Sequence, residues 1–172
     1  MSAPTSIRLL TPRDADALIR LRAEALANDP LSFAASPEDD RARSADIVRA
    51  SLADVDEQAI FGGFQDGTLQ GMVGLYRDPK LKRRHIAHIW GVYVSPNARG
   101  IGLGRAMMLA AIARARQWQG IEQIQLSAST HEPGPVRLYE SVGFKTWGIE
   151  KQALLNNGRY GDEAHMVLKL RR

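Results

Sequence analysis

The stretch Val92-Tyr93-Val94-Ser95-Pro96-Asn97-Ala98-Arg99-Gly100-Ile101-Gly102-Leu103-Gly104 decides the fold. Before it, Ile86–Val94 reads as a strand. Its alternate residues Ile86, His88, Trp90, Val92 and Val94 are expected on one face. After it, Gly102–Gln119 reads as a helix, with Leu103, Ala106, Met107, Ala110 and Ala113 on one stripe. Between the two, Gly100, Gly102 and Gly104 let the backbone approach a ligand closely and adopt positive φ. A helix start carries unpaired N–H groups and a partial positive charge. Together these make an anion site for a phosphate or pyrophosphate, to which Arg99 and Arg105 add charge. The spacing separates this loop from other phosphate binders. Counted from Gly100, the last glycine of a Gly-x-Gly-x-x-Gly fingerprint would fall on Arg105, and no Gly-Lys-Ser/Thr occurs in the chain.

Working outward, Ser6–Leu10 is a short strand, and Thr11-Pro12 starts a helix with a hydroxyl cap and a first-turn proline. Leu18, Leu21, Ala25 and Leu26 recur at helical spacing, and Pro30 stops the helix near Asn28. A second helix is expected over Asp46–Asp54. Ala59–Gln65 and Thr68–Tyr76 read as a hairpin turning at Asp66-Gly67. Ile121–Ser129 is a strand and Pro135–Ser141 a short helix ended by Gly143. Phe144–Lys151 and Arg159–Leu170 are two last strands, with Asn156-Asn157-Gly158 turning between them. The order β-α-α-β-β-β-α-β-α-β-β predicts one α/β (α+β) domain over residues 1–172, with a mixed sheet and helices on both faces.

Composition narrows the function classes. The 172 residues suit one domain with a substantial core. The chain has no cysteine, which excludes disulfides, thiolate metal sites and a cysteine nucleophile. The longest uncharged apolar run, Ala106–Ala113, is too short to span a bilayer, and the N-terminus lacks a secretory layout, so a cytoplasmic location is expected. A net charge of +4 is too small to argue for nucleic acid. The basic cluster Lys80–Arg84 reads as a solvated loop, with RNA or phosphate binding as the alternative. His85 and His88 fall on opposite faces of a strand, and His131 and His165 have no companion at ligand spacing, so no metal is expected. Trp118 and Trp147 read as core or interface aromatics.

Two motifs carry a family resemblance. Arg99-x-x-Gly102-x-Gly104 resembles the Gln/Arg-x-x-Gly-x-Gly/Ala signature of the GCN5-related N-acetyltransferase (GNAT) superfamily, placed as there between a strand and a long helix. Further on, Leu138-Tyr139-Glu140-Ser141-Val142-Gly143-Phe144 is similar to that family's Leu-Tyr-x-x-x-Gly-Phe segment. The element order matches from residue 6 to 170. One departure stands out: Glu132 and Pro135 occupy positions where the family often has Asn and Ala, inside His131-Glu132-Pro133-Gly134-Pro135.

The resemblance implies a mostly antiparallel sheet with a splayed parallel pair, Ile86–Val94 and Ile121–Ser129, opening to admit acetyl-CoA. Backbone groups at Val92, Tyr93 and Val94 would pair with the pantetheine arm. The segment Arg99, Gly100, Ile101, Gly102, Leu103, Gly104 and Arg105 would hold the pyrophosphate. A primary amine would attack the thioester directly in a ternary complex. A lysine-like amine has a reference pKa of ~10.4, so a proton must first be removed. Tyr139 would serve as general acid for the departing thiolate. The base is left open between His88, whose imidazole type titrates near ~6.5 but which could instead be a hydrogen-bonded strand residue or bind substrate, and Glu132, which could instead bind substrate or cap its helix. The acceptor site would be lined by Asn28–Glu38 and Leu154–Gly161. Phe33 would form an apolar wall, and Glu24, Glu38, Asp39 and Glu163 would attract a cation. The acceptor would be a small-molecule amine or a peptide or protein amine, and the resemblance allows a homodimer. The competing readings are a non-catalytic acyl-CoA-binding domain, a nucleotide enzyme using the same loop, and an RNA-binding module.

Overall fold

Two tight turns set the two ends of the sheet. Asp66 and Gly67, with φ of 49° and 74°, join β2 (Gln58–Gln65) to β3 (Thr68–Arg77). Asn157 and Gly158, with φ of 47° and 75°, join β6 (Lys145–Asn156) to β7 (Arg159–Lys169). Two successive positive φ values match the twist of paired antiparallel strands, which is why Asp-Gly and Asn-Gly stand there. The computed structural model describes residues 4–170, so residues 1–3 and 171–172 of the expected domain lie outside the described residues. With β1 (Thr5–Leu9), β4 (Ile86–Val94) and β5 (Gln123–Ser129), the strands form one seven-stranded sheet ordered β1-β2-β3-β4-β5-β7-β6. Every neighbouring pair is antiparallel except β4 with β5.

Helices cover both faces. α1 (Ala15–Asn28) follows a single 3₁₀ turn at Pro12–Asp14, where the Asp14 carboxylate accepts the Thr11 amide at 2.8 Å. α2 (Ala45–Ala53) is capped by Ser44, whose hydroxyl accepts from the Ile47 amide. Both pack on one core, with Leu18, Leu21, Val48, Phe64, Met72 and Tyr93. α3 (Leu103–Gln117) and α4 (Pro133–Ser141) cover the other face. There the core contains Val73, Leu75, Ile89, Met107, Leu126, Phe144 and Met166. Burying each such side chain contributes roughly 1.5–3 kcal/mol.

Several expectations need correction. The buried face of α3 runs through Leu103, Met107, Met108, Ala111, Ile112 and Ala115, while Ala106 and Ala113 are exposed. The expected stripe was therefore rotated about the helix axis, because alanines fit either face and the methionines decide it. α4 begins two residues before its expected start, at Pro133, since proline is tolerated in a first turn. β6 runs past Lys151 to Asn156, its register with β7 shifting between Thr146 and Gly148 and again between Glu150 and Leu154. Of the two tryptophans expected in a core or an interface, Trp118 is buried and Trp147 is exposed.

The correction that matters most lies in β4. Met72 pairs with Tyr93 and Gly74 with Trp90, so Gly91 and Val92 together oppose Val73 alone. Gly91, with φ of 62°, carries this β-bulge. The extra residue flips the alternation. Ala87 and Ile89 share the α3 core with Val92 and Val94, while Tyr93 joins the α1 core. The five residues expected on one face are therefore divided at Gly91. Trp90 lies flat over Gly74, where a Cβ would sit 2.3 Å from its ring.

A Cβ at Gly91 would meet the movable Cε of Met72 at 3.0 Å, so space alone does not forbid one. The left-handed φ does impose a penalty, and Gly91→Ala is expected to destabilise the fold by about 1–2 kcal/mol. Urea unfolding checks this: an unchanged midpoint would mean that the bulge does not depend on glycine.

Candidate active site

The bulge lies where the sheet opens. β4 and β5 pair only at Ile86 with Gln123, Ala87 with Ile124 and His88 with Gln125. Beyond these pairs the strands part, leaving β4 from Ile89 to Val94 and β5 from Leu126 to Ser129 without hydrogen bonds to each other. Buried backbone N–H and C=O groups are nearly always paired, so parted strands in mid-sheet call for a polar, chain-like ligand between them.

The glycine loop stands at the wide end of this opening. Gly100 and Gly102 have φ of 78° and 82°, and a Cβ on either would point into open space. Among the described residues, loop backbone bonding stops at the Arg99 amide, bonded to Pro96, and resumes at the Ala106 amide, bonded to Gly102. The amides between them, on Gly100, Ile101, Gly102, Leu103, Gly104 and Arg105, surround the start of α3. Ile101 and Arg105 are exposed. Arg105 makes no ion pair or hydrogen bond among the described residues and is free to meet an anion. Gly104 plays a different part: a Cβ there would lie 3.3 Å from a Leu138 methyl and 3.5 Å from Val94, so the glycine eases the packing of α3 against α4 and β4.

Arg99 departs from expectation. Its Nε donates to the Val94 carbonyl at 2.9 Å and its guanidinium pairs with Asp29 at 3.3 Å, over the Tyr93 ring. The side chain braces the end of β4 against the end of α1 and does not extend toward the loop amides. Tyr93 also turns its side chain away from the α3 core. Its hydroxyl donates to Glu24 at 2.9 Å and accepts from Asn28 at 3.1 Å. Only the backbone of Tyr93 faces the opening, with Val92 and Val94 on the α3 side.

Tyr139 lies on α4 in the α3-side core, 6% exposed, edge-on to Phe144 at 6.4 Å. Its hydroxyl has no hydrogen-bond partner among the described residues. Burial pushes this phenol well above its ordinary range, so it holds its proton throughout neutral pH. An unpartnered hydroxyl in an apolar setting is costly, and a ligand acceptor atom beside it would remove that cost.

The opposite side of the opening is polar. His88, at the last paired position of β4, stacks on Tyr76 at 4.9 Å, and its Nε2 lies 2.8 Å from Asp78. Asp78 also accepts from Arg83 and from the Lys80 amide. Burial alone would raise the Asp78 carboxyl, but the bonds from Arg83, His88 and Lys80 outweigh it and hold the group well below the carboxylate range. On β5, Ile124, Leu126 and Ala128 face the α3 core, which leaves Gln125, Ser127 and Ser129 on the polar side. Ser129 holds His131 at 2.6 Å. Ser127 holds His165 at 2.9 Å, and His165 in turn lies 2.8 Å from Glu150. His165, for which no companion at ligand spacing was expected, therefore has one in Glu150, whereas the Ser129 hydroxyl beside His131 is not of that kind. Glu150, Glu163 and His165 place acid and imidazole atoms within 4.8 Å of one another. Burial, reinforced by Glu150 and opposed by His165, raises the Glu163 carboxyl.

A cavity of about 220 Å³ opens nearby, lined by Asn28, Asp29, Pro30, Leu31, His131, Asn156, Asn157 and Arg159. It joins the two segments expected to line an acceptor site. Phe33 stands farther in, edge-on to Tyr93 at 6.4 Å. Glu132 precedes the first turn of α4, exposed and making no cap hydrogen bond. A larger depression of about 580 Å³ at the far end of α3 includes Arg77 and Arg84, but both are committed to Glu57 and to backbone carbonyls. Within the Lys80–Arg84 cluster, Arg83 and Arg84 are likewise paired, which thins the basic patch that suggested RNA.

Arg22 was missed from sequence. It is 5% exposed, donates Nε and one terminal nitrogen to Asp40, and lies between the Phe33 and Trp90 rings. A lone arginine on the apolar stripe of α1, four residues after Leu18, was the available signal. It ties the segment after α1 to β4, and stranding Asp40 by its removal would cost about 3–5 kcal/mol.

A mostly antiparallel sheet, parted at its one parallel pair and covered on both faces, is the fold of acyl-CoA N-acyltransferases. A structure of yncA from Salmonella typhimurium, determined with its cofactor acetyl-CoA, superposes with a TM-score of 0.83 at 21% identity, covering 97% of this chain and 94% of that one. The chain belongs to the acetyltransferase (GNAT) family, whose model matches residues 21–144. It is 32% identical over 152 residues to a mycothiol acetyltransferase of Thermobispora bispora, covering 86% of this chain and 49% of the relative. It is 26% identical over 102 residues to the L-amino acid N-acetyltransferase AaaT of Escherichia coli K12, covering 59% of this chain and 62% of that one. The chain thus spans about half the length of the mycothiol acetyltransferases it matches.

Gly102 tests the loop directly. A side chain there would be strained by the φ of 82°, although its Cβ would meet no atom within 4 Å. Gly102→Val is expected to weaken acetyl-CoA binding at least tenfold in calorimetric titration, while its circular dichroism stays that of the parent. Parent-like affinity would remove the loop from the binding site.

Proposed function

We propose that the chain is an acetyl-CoA-dependent N-acetyltransferase acting on a small primary amine. The parted strands carry this reading, because they open at a helix start whose amides are unbonded, and the core on that face of the sheet holds an unpartnered phenol. The residues present fit the cofactor: Val92, Tyr93 and Val94 offer strand backbone, Gly100–Arg105 offers the amide run, and Arg105 offers charge. Acetyl-CoA supplies an activated acetyl thioester. The amine reaches it from the polar side, between Trp90 on β4 and Ser127 on β5.

Tyr139 Oη keeps a proton at the sulfur side of the opening. Its raised pKa makes it a weak acid in the free protein, and a thiol's reference value is only ~8.5. Its work is therefore hydrogen bonding to negative charge as that charge grows on sulfur, with proton transfer completed as the bond breaks. Small amines are favoured by the size of the cavity beside Leu31 and His131, which lies below the usual ~300–1,000 Å³ of ligand pockets. The names of the mycothiol and amino-acid acetyltransferase relatives point the same way.

Free-thiol release from acetyl-CoA would be followed with glycine, L-methionine, glucosamine, 2-phenylethylamine and an alanine-initiated peptide. Turnover with at least one of the four small amines is expected. Acetyl-CoA binding without thiol release from any of the five would favour a non-catalytic acyl-CoA-binding domain. Tyr139→Phe is expected to lower kcat on the order of 10²-fold, with acetyl-CoA affinity within about twofold. Its stability should be undiminished, because the hydroxyl removed is unpartnered. Unchanged turnover would take Tyr139 out of the chemistry.

A further inference from the structure

We propose that Ser127, His165 and Glu150 form a proton relay that deprotonates the acceptor ammonium from the β5 side of the opening. The proposal rests on the acetyltransferase reading above and supplies the base that the sequence left open.

The geometry fixes the direction of the relay. A carboxylate only accepts hydrogen bonds, so at 2.8 Å from Glu150 the His165 Nε2 carries the hydrogen. In the neutral ring Nδ1 is then bare, and the Ser127 hydroxyl, 2.9 Å away, donates to it. Strand register builds this arrangement. Ser127 pairs with His165 across β5 and β7, and Gly148 pairs with His165 across β7 and β6. Gly148 has no side chain, so the imidazole can lean toward Glu150, which pairs with Glu163 one step along the same strands. Trp147, from the register shift beside it, flanks the ring at 5.5 Å.

Position is the second part of the argument. Ser127 stands two residues beyond Gln125, the last β5 residue paired with β4, and therefore at the edge of the opening. His88 stands at the closed end. Its Nε2 is tied to Asp78, which itself holds Arg83 and the turn after β3. The carboxylates facing His165 are Glu150 from β6 and Glu163 from its own strand. β5 presents Ser127 together with Ser129 and its partner His131. The charged residue one register step away is Lys145, opposite Val167. The partial exposure of His165 gives its ring a route to water.

The protons balance. The nitrogen gives up one proton through Ser127 Oγ to His165 Nδ1, and the imidazolium passes it to water. The neutral amine then forms the N–C bond as the C–S bond breaks. The second nitrogen proton, lost to solvent, offsets the one that Tyr139 gives to sulfur and regains. One proton is released per turnover.

The test is the pH profile of kcat/KM with the fastest of the five amines above. His165→Gln should lose at least tenfold at pH 7 and approach the parent as pH rises toward the amine's own pKa. Ser127→Ala should behave likewise, and Glu150→Gln should displace the acid limb. Acetyl-CoA affinity should stay within twofold throughout. Imidazole NMR of the parent should show the Nε2–H tautomer of His165. Ser127→Ala and Glu150→Gln, at exposed strand positions, keep the test decisive if His165→Gln does not fold. Profiles equal to the parent, a loss constant across pH, the Nδ1–H tautomer, or removal of the acid limb by His88→Gln alone would each overturn the relay. A parent that turns over none of the five amines would instead defeat the acetyltransferase reading and the relay with it.

Discussion

The separation of β4 from β5 is the constraint on which the rest depends. Parallel strands inside a sheet normally bond along their length, yet here pairing ends at His88 and Gln125. The fold then has to support unbonded strand edges and keep them apart. The Gly91 bulge turns β4, Arg99 braces its end against Asp29, and Arg22 with Asp40 ties the segment after α1 to the same strand. α3 and α4 close the other side through Gly104 and Leu138. Each brace lets polar backbone remain available to a ligand.

The opening also divides the chemistry by face. On the α3 side the surroundings are largely apolar and hold the Tyr139 hydroxyl, which burial keeps protonated. On the other side lie histidines with oriented partners, carboxylates and the cavity beside Leu31. A proton donor in a dry setting and proton acceptors in a wetter one suit a transfer in which a thiolate leaves on one face and an ammonium arrives on the other.

Much of this was legible in the sequence. The element order, the two glycine turns and the Arg99–Gly104 loop depend on local rules of φ, proline and period, which act within a few residues. The features that were not legible depend on neighbours far away in the chain. Gly91 reads as an ordinary strand glycine until Met72 and Gly74 are seen to pair around it. Arg99 looks like a phosphate ligand until Asp29 is found beside it. His165 looks solitary because Ser127 and Glu150 lie on two other strands. The α3 stripe was misjudged because alanine packs on either face of a helix.

Amide hydrogen exchange with and without acetyl-CoA tests the central claim most directly, since it reads the parted strands themselves. The account predicts that acetyl-CoA slows exchange across Val92–Val94 and Gly100–Arg105, while β1, β2 and the 580 Å³ depression beside Arg77 are unaffected. Unchanged exchange in those two segments at saturating acetyl-CoA would contradict it.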